Sequence, residues 1–179
     1  MRNLYDSGVF PRTPPPPAPR RGTLRRCAMK IAVLGAGVVG KATGDGLLRL
    51  GHGVVFCDTS EEVTKALRAD GREAVRPADL DLNILDAVMV SVPTPPALDG
   101  SMVAAHLIAA TKMIAAKLAN AAVPPVVIYR STHLPGTVRN VLAPILRHSG
   151  HPAHVAYWPE YLRAHQAERD FLEPRALVL

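Results

Sequence analysis

Cysteine is scarce: the 179 residues include only Cys27 and Cys57. Two are too few for a disulfide framework and lack the spacing of a metal site, which fits a reducing cytoplasm. Long hydrophobic runs are also missing. None approaches the roughly 18 to 20 apolar residues that a membrane-spanning helix needs, so a soluble, cytoplasmic chain without a membrane partner is expected. The seven histidines are scattered, with no pair at ligand spacing beside a third candidate, so no metal is expected. Acidic residues are lacking at the start of the chain, where residues 1–29 carry six arginines against Asp6 alone. The remaining 15 basic and 14 acidic residues nearly cancel, so most of the net charge of +6 belongs to this stretch. Basicity of that kind does not point to nucleic acid as a partner of the folded part.

With 48% hydrophobic and 20% charged residues, the composition is that of a globular protein, and the length suits one core. Residues 1–29 hold six of the 17 prolines, including the run Pro14 to Pro17. This segment is expected to be disordered or polyproline II. Three readings stay open for it: a ligand for an aromatic-lined groove, an arginine-rich targeting peptide, or an extension upstream of a start at Met29.

From Lys30 the pattern changes to alternating strands and helices. Strands are expected at Ile31–Leu34, Val54–Cys57, weakly at Ala74 and Val75, then at Ala87–Val92, Val126–Tyr129 and His154–Tyr157, with a last apolar run at Ala176–Leu179. Helices are expected from Val38 to Leu50, closed by Gly51, from Ser60 and Glu61 to Ala69, from Met102 to Leu118, and from Thr137, as N-cap, to Arg147. Short apolar strands alternating with helices predict an α/β fold. The expected form is a single Rossmann-type domain over 30–179, a doubly wound parallel sheet with helices on both faces.

Gly35, Ala36, Gly37, Val38, Val39 and Gly40 spell G-x-G-x-x-G between a buried strand and a helix, and Asp58 ends the next strand 18 residues later. In that setting the pattern is a dinucleotide fingerprint. Gly35 permits the tight turn, Gly37 lets backbone approach a pyrophosphate at the helix N-terminus, and Gly40 allows close packing. Asp58 would accept hydrogen bonds from the adenosine ribose and repel a 2′-phosphate, favouring NAD over NADP. Pro93 and Thr94, after the strand ending near Val92, and Ser131 and Thr132, after the next, fall at the carboxyl edge where ligands of such sheets lie. Turn formation alone would also account for Ser131 or Thr132. His133 reads as a loop histidine.

Taken together, these residues resemble the nucleotide-sugar 6-dehydrogenases, the UDP-glucose and GDP-mannose dehydrogenase family, in their N-terminal NAD-binding domain. The likeness rests on Met29 to Gly40, on Val92-Pro93-Thr94-Pro95-Pro96 with Asp99-Gly100-Ser101, on Ser131-Thr132 with Pro135-Gly136-Thr137, and on Pro159-Glu160-Tyr161-Leu162-Arg163. It implies oxidation of a sugar C6 alcohol to a carboxylate with two NAD, through a cysteine-bound intermediate. Thr132 matches a threonine that positions the active-site water, and Glu160 a carboxylate that assists as general base. Trp158, Ala164 and Val63 depart from the family's asparagine or serine, acidic and basic residues at those places. The family's nucleophilic cysteine and its substrate-completing domain have no counterpart here, and Leu179 falls inside an apolar run, as in a truncated chain. Neither Cys27 nor Cys57 stands where the nucleophile would, so no turnover by this chain alone is expected. A nucleotide sugar is the expected partner of the complete enzyme, and homo-oligomers would form through its central domain. Two other readings are another NAD-dependent dehydrogenase of the hydroxyacid or 6-phosphogluconate type and a non-catalytic dinucleotide-binding module.

Overall fold

The strand β1 (Lys30–Leu34) is buried from Ile31 onward because it lies inside a six-stranded sheet of order β3-β2-β1-β4-β5-β6. The computed structural model describes residues 28–99, 101–148, 150 and 153–174. The other strands are β2 (Gly53–Cys57), β3 (Ala74–Val75), β4 (Ala87–Val90), β5 (Val126–Tyr129) and β6 (Val155–Tyr157). Every pairing is parallel. The chain builds outward from β1 to β3 and then returns to lay β4 against the other side of β1. This reversal opens a crevice at the carboxyl ends of β1 and β4, where an α/β sheet binds ligands.

Alternation along the strands divides the core into two layers. Ala32, Leu34, Val88, Val90 and Tyr129 pack with Leu107, Ile114 and Leu118 of α3 (Ala105–Leu118) and Leu146 of α4 (Ala143–Arg147). On the other face, Ile31, Val33, Phe56 and Met89 meet Leu47 of α1 (Val38–Arg49) and Leu67 of α2 (Glu61–Ala69). This is the doubly wound fold expected from the sequence. Two glycines bring α1 close: a Cβ at Gly44 would lie 2.3 Å from the Phe56 ring, and one at Gly46 would lie 2.1 Å from Phe171. Phe171 belongs to α5 (Ala167–Leu172), a short helix packed on α1.

Several boundaries differ from the expectation. β4 stops at Val90 rather than Val92, because the backbone turns there into a proline-rich loop. α3 begins at Ala105 rather than Met102, since Met102 is taken up in a short antiparallel pairing with Pro96. In it Ala97 N–H donates to Ser101 O at 2.7 Å and Val103 N–H to Pro95 O at 3.0 Å. Those amides are therefore already used outside the helix. Thr137 has helical backbone and makes no side-chain cap. The helix after it starts as a widened turn over Val138–Leu142, in which Ala143 N–H reaches back to Val138 O. Pro144 has no N–H and its ring crowds the carbonyl four residues earlier, which favours this wider turn. Helix α5 has no counterpart among the expected elements. The expected run Ala176–Leu179 and the segment 1–27 lie outside the described residues.

Candidate cofactor cleft

The glycine loop turns on Gly35, whose φ of 85° is one that glycine adopts freely. Its N–H donates to Cys57 O at 2.8 Å, tying the loop to the end of β2. Gly40 is fixed by sterics, because a Cβ there would stand 1.8 Å from Gly35 O. Gly37 differs. A Cβ on it would meet nothing within 4 Å, so the space above it is open to a ligand and its lack of a side chain serves no internal packing. The first amides of α1 follow directly, with the positive end of the helix dipole toward this space.

Asp58 lies at the tip of β2, 22 residues from Ala36, and joins the two segments. Its Oδ2 accepts from Ala36 N–H at 2.8 Å and its Oδ1 from Ser60 N–H at 2.9 Å. The carboxylate is thereby held in one orientation, each oxygen keeping a further lone pair for a ligand hydroxyl. A cleft of about 660 Å³ runs from Asp58, Val63 and Pro77 past Gly35 to Val39, and on to Pro93, Thr94, Ser131, Thr132 and Glu160. The structure thus brings the expected residues along one cleft, with Gly40 packed behind the loop. An open anion cradle near one end and fixed carboxylate acceptors beside it fit a dinucleotide.

The far end is built from the tips of β4, β5 and β6. Ser131 is buried and its hydroxyl donates to Val92 O at 2.7 Å, lashing the β5 tip to the loop after β4. Thr132 is exposed and Thr94 half-buried, and both line the cleft. Glu160 follows β6, and its Oε2 accepts from Leu162 N–H at 2.6 Å, which closes a tight turn around the carboxylate. The Tyr157 hydroxyl is raised above its ordinary value by partial burial, then by Tyr161 and the charge of Glu160. His133, next to Thr132, holds its ring 4.1 Å from that of Tyr157, tilted by 43°. Cys57 also lines the cleft. Burial, and then the adjacent Asp58 charge, push its thiol up to about 12, so it is an inert thiol at neutral pH.

Arg130 is the residue that the sequence reading passed over. It is 2% exposed, its guanidinium lies 4.4 Å from the Trp158 ring centroid and 5.5 Å from that of Phe171, and it lines the cleft. Burial pushes it down to about 10, opposed by the Glu160 charge, so it stays cationic at neutral pH. Its Nε and Nη1, like Ser91 Oγ, are buried without a hydrogen-bond partner among the described residues. The signal available in the sequence was an arginine directly after an apolar strand, with Trp158 standing where a small polar residue was expected. Among the described residues there is no group of three or more histidine, cysteine or acidic side chains able to hold a metal, and no helix long and apolar enough to cross a membrane.

Comparisons with known proteins agree with this geometry. Residues 30–124 match the NAD binding domain of 6-phosphogluconate dehydrogenase. Residues 78–179 match the UDP-glucose/GDP-mannose dehydrogenase family, NAD binding domain. UDP-glucose 6-dehydrogenase AglM of Haloferax volcanii is 27% identical over 175 residues, and GDP-mannose 6-dehydrogenase of Pseudomonas savastanoi pv. phaseolicola is 31% identical over 183. Each alignment covers 84% of this chain and 40% of the relative, so the chain spans about two fifths of the length of these curated relatives. The UDP-glucose dehydrogenase structure from Pyrobaculum islandicum superposes with a TM-score of 0.75 at 26% identity, covering 87% of this chain and 42% of that one. A ternary complex of GDP-mannose dehydrogenase from Pseudomonas aeruginosa gives a TM-score of 0.73 at 24% identity, over 80% and 38% of the two chains. The chain belongs to the UDP-glucose/GDP-mannose dehydrogenase family, of which it carries the NAD-binding domain.

Proposed function

We propose that the chain is the NAD-binding portion of a nucleotide-sugar 6-dehydrogenase, which oxidises the C6 alcohol of a UDP- or GDP-sugar to the carboxylate with two NAD. The observation that carries this reading is one continuous cleft with a dinucleotide cradle at Gly35–Val39 and Asp58 and a hydroxyl–carboxylate pair, Thr132 and Glu160, at its other end. NAD when bound supplies the hydride acceptor. The α1 amides hold the pyrophosphate, and Asp58 accepts the ribose hydroxyls and disfavours a 2′-phosphate. Thr94 and Ser131 border the nicotinamide half. The Thr132 hydroxyl positions a water, and Glu160, held by the Leu162 amide, takes its proton. A buried Cys57 with its pKa near 12 supplies no thiolate, so the nucleophile is not among these cleft residues.

The match of residues 30–124 to the 6-phosphogluconate type favours a second reading, a dehydrogenase of the hydroxyacid kind. The Thr132 and Glu160 segments lie outside residues 30–124 but within residues 78–179, the region matched by the UDP-glucose/GDP-mannose dehydrogenase family, and support the sugar-nucleotide reading. The test is to incubate the purified 179-residue chain with NAD and either UDP-glucose or GDP-mannose. Binding of NAD without formation of NADH is the expected result. NADH production from either sugar would contradict the assignment of the nucleophile elsewhere.

A further inference from the structure

Helix α3 turns one stripe to the cleft: His106, Ala109, Ala110 and Met113, at the i, i+3, i+4, i+7 spacing of a single face. Two fixed points set the direction of this stripe along a ligand. Near the end of the helix Lys117 Nζ donates to Ala78 O at 2.9 Å, which brings Met113, four residues earlier, toward Pro77. Before its start Val103 N–H donates to Pro95 O at 3.0 Å, which brings His106 toward the loop that carries Pro93 and Thr94. The stripe therefore runs from the adenosine end of the cleft, at Pro77 and Asp58, and reaches His106 after seven residues, about 10 Å along the helix axis. That is close to the reach of an adenosine from its base to its phosphates. The two alanines between leave this span to the ligand.

The charge at that point is unbalanced. A dinucleotide brings an anionic diphosphate, while the ionisable groups lining the cleft are Cys57, Asp58, His106, Arg130 and Glu160. The two carboxylates repel an anion, the Cys57 thiol stays neutral, and Arg130 has its Nε and Nη1 sealed from the surface. His106 is exposed, and among the described residues its ring makes no hydrogen bond or ion pair. Helices α1 and α3 cover opposite faces of the sheet. We infer that His106 is an anion-binding residue for the diphosphate of the dinucleotide, meeting it from α3 while the first amides of α1 hold it from the other side. The inference rests on the NAD reading of the cleft and deepens it. Histidine changes charge between about pH 5 and 8, and an imidazolium makes the stronger, charge-assisted hydrogen bond to a phosphate oxygen. Binding therefore takes up a proton, and affinity for NAD rises as the pH falls from about 8 to 6. The other charged groups around α3 are Asp99 in the loop before it, Lys112 and Lys117 on the helix itself, and Arg139 and Arg147 on the helical segments packed against it. None of these lines the cleft.

The test is titration of the 179-residue chain and of its H106Q and H106K variants with NAD, ADP-ribose and adenosine, followed by protein NMR at about pH 6 and pH 8. ADP-ribose keeps the diphosphate without the pyridine ring, and adenosine lacks both. The parent is expected to bind NAD and ADP-ribose at least about fivefold more tightly at the lower pH, equivalent to 1 kcal/mol, with adenosine unchanged. H106Q is expected to lose that gain for both diphosphates and to keep adenosine binding. H106K, a cation at both pH values, is expected to hold the tighter affinity without the pH dependence. The same pH profile in parent and H106Q would overturn the role of His106 while leaving the NAD reading standing. Weaker adenosine binding in both variants would also overturn it, because the histidine would then be shaping the cleft rather than meeting the anion. Failure of the parent to bind NAD or ADP-ribose at either pH would overturn both readings.

Discussion

Three glycines within six residues act differently, and substitution separates their roles. A Cβ at Gly40 would collide with Gly35 O at 1.8 Å, so Gly40→Ala must displace the loop. It is expected to lower stability by about 2 kcal/mol or more, within the range for overpacking, and to abolish NAD binding. Gly37→Ala enters open space, so it should leave stability within about 0.5 kcal/mol while weakening NAD at least about tenfold by filling the pyrophosphate seat. Chemical denaturation paired with titration reads both. Equal loss of stability in the two variants would refute the division between a packing glycine and a ligand-facing one. The fingerprint and Asp58 were legible because their work is local: a tight turn, a helix start and a strand end lie within one βαβ unit. Arg130 was not, because its burial depends on Trp158 and Phe171, which arrive from 28 and 41 residues later in the chain.

At the scale of elements, β1 to β5 are close to the expected ranges since each is a short apolar run between turn signals. The reading failed where contacts remote in sequence decide the outcome. α5 is too short and too polar for periodicity to reveal, and it is helical where Phe171 docks over the bare backbone of Gly46. Gly46, one of three glycines within α1, was the available sign, since a glycine weakens a helix by about 1 kcal/mol unless close packing requires it. Phe171→Ala is accordingly expected to lower stability by about 2 kcal/mol, less than for a fully enclosed ring, and to loosen Arg130, which loses one of its two aromatic neighbours. Denaturant unfolding checks this. A loss below about 0.5 kcal/mol would mean that α5 contributes little to the domain.

At the scale of the molecule, the layer under α3 contains two acids held neutral by burial. Cys57 is raised from 9.0 to about 12 and Tyr129 from 10.0 to about 12, the latter despite a 2.8 Å hydrogen bond with Thr111. Both groups hold their protons more tightly folded than unfolded. Their contribution to stability is therefore full below about pH 9 and is lost as the pH rises toward 12. Unfolding free energy is predicted to decline from pH 9 upward, with Cys57→Ser removing the part that begins at 9 and leaving the part that begins near 10. A flat profile between pH 9 and 11 would contradict this account of the core.

The central claim is that this sheet and its glycine loop form an NAD site whose selectivity resides in Asp58. Titration of the purified chain with NAD and with NADP, in the parent and in Asp58→Ala, tests it most directly. The parent is predicted to bind NAD and to discriminate against NADP by at least about tenfold, or 1.4 kcal/mol, and Asp58→Ala to erase most of that preference. Equal affinity for the two dinucleotides in the parent, or no binding of either, would contradict it.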